Sequence, residues 1–76
     1  MSHSTLFTFE TTHMALWAED TARERRIPAE VVPAPPQAQA KCGLALRTTV
    51  ARFDELAGAL REEGVSFGVF AETAAT

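Results

Sequence analysis

Cysteine is scarce in this chain, with one thiol in 76 residues. A lone thiol cannot build a disulfide framework or a four-thiolate zinc site. Long apolar runs are missing too, and the longest falls far short of the ~20 residues of a membrane span. The opening residues, Met1-Ser2-His3-Ser4-Thr5, carry neither a basic region nor an apolar one, so no signal peptide is expected. Positive charge is in short supply, with seven Lys and Arg against ten Asp and Glu, a net charge of −3 and a pI near 5.2. That balance disfavours nonspecific nucleic-acid binding, which needs concentrated positive charge. Also missing are a Gly-rich phosphate loop, a nucleophile elbow and an acidic pair at catalytic spacing. What remains is a soluble, cytoplasmic domain of one unit, residues 1–76, with an ordered core expected over about 5–71. A domain of this length buries only about 60% of its unfolded surface, so its stability is marginal.

The residues present divide cleanly into elements. Residues 5–10 alternate, with Phe7 and Phe9 on one face and Leu6 and Thr8 on the other, which predicts a strand. Thr11 or Thr12 offers a hydroxyl cap to a helix over residues 13–25. Its inward stripe is Met14 or Ala15, then Ala18 and Ala22, small residues that bring the helix close to its neighbours. Arg23, Arg25 and Arg26 complement its carbonyl end, and Ile27 before Pro28 stops it. Residues 29–32 make a second strand, and the Pro-rich stretch 33–41 a loop. Residues 44–48 alternate again as a third strand. Thr49 is the expected cap of a second helix, whose Phe53, Leu56, Ala57 and Leu60 form the clearest apolar stripe in the chain. Gly64 reads as its left-handed terminator, and residues 65–71 as a fourth strand.

The order strand–helix–strand–strand–helix–strand predicts an α+β fold of the ferredoxin-like βαββαβ type. Its four-stranded antiparallel sheet would carry both helices on one face. The helices would cover Phe7, Phe9, Val31, Leu44 or Leu46, Phe67 and Val69. Leu6, Thr8, Arg47 and Phe70 would line the open face, a candidate surface for a homodimer.

Few residues can carry chemistry. Cys42 comes at the end of the Pro-rich loop, directly before Gly43 and the third strand. A thiolate there could take a sulfur or selenium atom as a persulfide and pass it on without a second cysteine. The alternative is a small buried hydrophobe opening a strand. Lys41 is adjacent, but neighbours in an extended segment point opposite ways. Gly43 would permit a positive φ or the close approach of another molecule. His13, at a helix start, has neither a carboxylate nor a second imidazole at metal spacing, and no metal or cofactor is expected. Trp17 and Met14 suit packing at the helix flank. The third strand has no aromatic, which argues against an RNA-stacking sheet.

In combination, residues 8–19, Ile27-Pro28, Pro33-Ala34-Pro35 and above all Cys42-Gly43-Leu44-Ala45-Leu46-Arg47 resemble the selenium/sulfur carrier protein-like family of small bacterial domains. The resemblance runs from about Leu6 to Phe70. Thr12 and His13 match the family's Thr-His pair at the first helix, and Gly64 its glycine before the last strand. It implies that Cys42 is the carrier thiol, Gly43 its backbone partner and His13 a neighbour. The loop departs from the pattern. Pro36 stands where the family has Arg, and Gln39, Ala40 and Lys41 stand where it has serines. Hydroxyl and guanidinium donors suited to a bound anion or thiolate are therefore gone, with Lys41 replacing part of the charge.

The resemblance implies a carrier without turnover of its own. A cysteine desulfurase or selenocysteine lyase would load it, and an acceptor enzyme would unload it. The competing expectation is a non-catalytic ferredoxin-like interaction or dimerisation module in which Cys42 is structural. A small-ligand regulatory domain ranks behind both. The exposure and environment of the Cys42 sulfur discriminate between them, since burial with apolar neighbours on all sides would rule out the carrier.

Overall fold

Phe7 stands at the centre of the molecule, fully buried, because the first strand lies between two others. The structure is a computed structural model that describes residues 4–36 and 41–72. Strand β1 (Ser4–Thr8) pairs antiparallel with β3 (Leu44–Thr49) on one side and β4 (Gly68–Glu72) on the other. Strand β2 (Glu30–Pro33) completes the sheet beyond β3, giving the order β2-β3-β1-β4. With helices α1 (Thr12–Glu24) and α2 (Phe53–Glu63) between strands, this is the expected ferredoxin-like arrangement.

The alternation in β1 sorts its residues as predicted. Phe7 and Phe9 join the core beneath the helices, with Leu46 opposite Phe7 in the register. Ala15, Ala18 and Ala22 are all buried, so α1 meets the sheet through side chains of one carbon. Phe7 is ringed by aromatics. Phe53 stacks on it at 5.2 Å with the rings 7° apart, and Phe67 meets it edge-on at 4.9 Å.

Both helices stop by the same device. After α2, Gly64 takes φ +83 while its N–H bonds Arg61 O and that of Val65 bonds Leu60 O. After α1, Arg26 takes φ +58, with its N–H on Arg23 O and that of Ile27 on Ala22 O. Each is a Schellman ending with an apolar residue beyond it, Val65 or Ile27, buried in the core. At the other end of α1, Thr11 is the cap, its hydroxyl accepting the N–H of Met14 at 3.2 Å.

Several boundaries differ from expectation. A 3₁₀ turn, Val50–Arg52, precedes α2, so Thr49 opens that turn and makes no side-chain cap. Arg52 closes it by donating to Glu55 at 2.7 Å. β2 runs one residue later than the predicted 29–32. β4 starts at Gly68 and not at residue 65, because the three residues after Gly64 carry the chain back to the sheet edge before pairing begins. Val69 shares the helix-side face with Phe7 but is 52% exposed, since the helices leave this outer strand uncovered. On the opposite face Leu6 is buried between its cross-strand neighbours Arg47 and Phe70. Arg47 there bonds Glu30 at 2.9 Å. Residues 37–40 of the expected loop, and residues 73–76 beyond the expected core, lie outside the described residues.

Candidate functional site

Cys42 lies where three strand ends converge. Its N–H bonds Phe9 O at 3.4 Å, just past the end of β1. The carbonyl of the next residue, Gly43, accepts the N–H of Ala34 at 3.0 Å, just past the end of β2. Leu44 then begins β3 opposite Pro33. The segment 41–43 therefore continues the sheet's pairing after regular strand geometry has ended, and this fixes which way Cys42 points.

It points inward. Cys42 is 8% exposed and belongs to the same core as Phe9, Ala15 and Leu46. Its thiol donates to the carbonyl of Leu44 at 3.1 Å. The sulfur is thus neither open nor wholly apolar in its surroundings. It is covered, with its proton directed at a main-chain oxygen two residues on.

The residues expected beside it are elsewhere. Lys41 is exposed and places Nζ 3.4 Å from Glu10 Oε1, as the alternation of an extended segment requires. This ion pair lies at a crevice of about 280 Å³ that Phe9 and Phe67 also line, and Cys42 does not. Gly43 is exposed with open space where a Cβ would stand, and its φ is not left-handed. The close approach of another molecule remains its available use. His13 is exposed on the first turn of α1 and lines a shallow concavity with Leu16, Trp17 and Asp20. Among the described residues, no hydrogen bond or ion pair joins His13 or Lys41 to the sulfur.

The sequence marks Cys42, but not its two hydrogen-bond partners. The Leu44 carbonyl and Phe9 carbonyl are main-chain groups that no composition or spacing marks. Glu10 pairs with Lys41 across the sheet end, a partner that the charge pattern along the chain did not single out. The three arginines at the end of α1 are dispersed by the fold. Arg23 bonds Asp20 at 2.8 Å, and Arg25 reaches across to Glu62 of α2 at 2.9 Å.

The chemistry available is that of a sheltered thiol. Among the described residues, no group of three or more His, Cys, Asp or Glu could hold a metal ion, and no helix is long and apolar enough to cross a membrane. Residues 4–71 match the model of a family described as Putative Se/S carrier protein-like. No curated protein and no solved structure matches the chain.

Proposed function

The chain belongs to the Putative Se/S carrier protein-like family, matched over residues 4–71, and on that premise we propose that it carries sulfur or selenium on Cys42. The observation that carries this reading is the family match over nearly the whole of a chain whose one thiol sits at an irregular sheet end. Loading is a transfer between thiols. The Cys42 thiolate attacks the terminal sulfur of a persulfide on a partner enzyme, forming the Cys42 S–S bond as the partner's S–S bond breaks. The partner leaves as a thiolate and takes up a proton. Unloading is the same step in reverse direction, with an acceptor thiolate attacking the terminal sulfur and Cys42 leaving. The transferred atom keeps its oxidation state throughout, so no external oxidant or reductant is consumed.

Suitable donors are a cysteine desulfurase or a selenocysteine lyase, and the acceptor is a further enzyme. Turnover belongs to those partners. A carrier thiol needs a reducing compartment, which the cytoplasm supplies.

For either step the sulfur must come out. Release of the 41–43 segment breaks the Cys42–Phe9 and Gly43–Ala34 main-chain bonds and the thiol–carbonyl bond. At about 1 kcal/mol net for each, that is an opening of a few kcal/mol, within reach of local fluctuation or of a docked partner. A specific observation supports a second reading as well. A cysteine 8% exposed in the core and bonded to Leu44 suits a structural residue in a non-catalytic interaction module.

Mass spectrometry separates the two. After incubation with a cysteine desulfurase and cysteine, the carrier gains one sulfur atom, and Cys42→Ser gains none. Absence of the adduct under conditions that load an established carrier leaves the structural reading standing.

A further inference from the structure

The side of α1 that faces away from the core is not uniformly polar. Leu16 is 46% exposed and Trp17, the one tryptophan in the chain, 38%. They lie opposite the buried Ala15, Ala18 and Ala22 and share a concavity with His13 and Asp20. Spacings of three, four and seven residues set these four side chains in one stripe along the helix.

The order along that stripe is self-complementary. His13 stands three residues before Leu16, and Asp20 three residues after Trp17. A two-fold axis through the midpoint of Leu16 and Trp17 therefore lays a second, antiparallel copy of α1 with each His13 opposite the other copy's Asp20. It also lays each Trp17 on the other copy's Leu16. This is the requirement of an isologous contact, in which residue i meets j and j meets i. His13 has no hydrogen-bond or ion-pair partner among the described residues. Its imidazole has an N–H to donate in either protonation state. Asp20 is engaged by Arg23 through Oδ1, and a carboxylate has acceptor capacity for another donor.

We propose that this outer face of α1, centred on Leu16 and Trp17, is a homodimer surface that pairs antiparallel with a second copy of the chain. The proposal goes beyond the carrier reading and does not depend on it. It also moves the expected dimer surface. Leu6 on the open sheet face is already covered and Arg47 there is paired, whereas Leu16 and Trp17 are exposed next to each other on α1; Val50 and Val69 are exposed elsewhere and do not lie on that open face with Leu6. A standard interface takes roughly 800 Å² from each partner, about a sixth of this chain's 4741 Å². One helix stripe supplies less, so the dimer is weak, reversible and dependent on concentration.

Sedimentation over about 10 μM to 1 mM, with the emission of Trp17 followed in parallel, tests it. Dimerisation shifts that emission to the blue as the chain associates. His13→Asp and Asp20→His each weaken association about tenfold, and the double exchange restores it to within about threefold. The double exchange still lacks the Asp20–Arg23 pair, so its recovery reports the contact between copies and not helix stability. A chain that stays monomeric at 1 mM, on the order of the weakest measurable association, overturns the proposal and leaves the face to a different partner. A dimer indifferent to both single exchanges overturns it in favour of another surface, such as the β4 edge.

Discussion

The Cys42 thiol and the Leu44 carbonyl are 3.1 Å apart, so the one thiol of the chain is hydrogen-bonded to its own main chain. The nucleophilic form must give up this contact and leave the core. Native protein is accordingly expected to react with a thiol reagent at least about tenfold more slowly than protein in denaturant, because labelling awaits local opening. A native rate equal to the denatured one would show the sulfur to be open. Urea unfolding gives a second check. Cys42→Ala removes a small apolar filler and is expected to cost about 1 kcal/mol.

The two helix endings place different residues at the left-handed position, and stability should differ with them. Arg26 holds a left-handed conformation at φ +58 that glycine adopts without steric cost. Arg26→Gly is expected to raise stability by about 0.5–1 kcal/mol, part of the gain being offset by the freer unfolded chain. Gly64→Ala, at φ +83, should lower it by about 1 kcal/mol. Opposite shifts of the urea midpoint at unchanged slope would verify the pair.

Gly68 faces Thr8 directly across β1 and β4, and a Cβ there would come 2.7 Å from Thr8 Oγ1. Gly68→Ala is expected to destabilise by roughly 1–3 kcal/mol. In a Thr8→Ala background most of that loss should vanish. Additive effects in the double-mutant cycle would show that the hydroxyl is not the obstacle.

Phe7 touches one aromatic from α2 and one from the approach to β4. Phe7→Ala is expected to cost about 3–5 kcal/mol, most of the stability of a domain this small. Phe7→Leu keeps the volume more nearly but loses both ring contacts, at about 1–3 kcal/mol. Near-ultraviolet circular dichroism of the Leu variant should show weakened phenylalanine fine structure, from the loss of Phe7 and its two ring contacts, while the far-ultraviolet spectrum is kept.

The sheet and helices were legible because their periods are strong. The Phe7/Phe9 alternation, the alanine stripe of α1 and the Leu56–Leu60 stripe of α2 each admit one element. Gly64 was legible as a terminator because glycine advertises a positive φ, whereas Arg26 in the same role carries no mark of it. The 3₁₀ turn before α2 was not legible because Val50-Ala51-Arg52 carries no residue that separates a tight turn from the first turn of an α-helix. Val69 was expected under the helices because alternation gives a face and not the extent of its cover. At the site, the sequence showed a lone thiol before a glycine. Its inward direction depends on main-chain bonds that no side chain marks, Cys42 to Phe9 from a distant segment and Gly43 to Ala34 across the loop.

The position of β1 also governs when the molecule can fold. The strand made first is central, and its partners are β3 and β4, with Ser4 paired to Glu72 at the far side. During synthesis it has no neighbour until residues some forty positions later have left the ribosome, and lacks its second until β4 follows. Phe7 waits as long, since Phe67 arrives only with that approach. Until then the chain holds its central strand with both edges open, and the sooner β3 and β4 follow, the less chance that strand has to pair elsewhere.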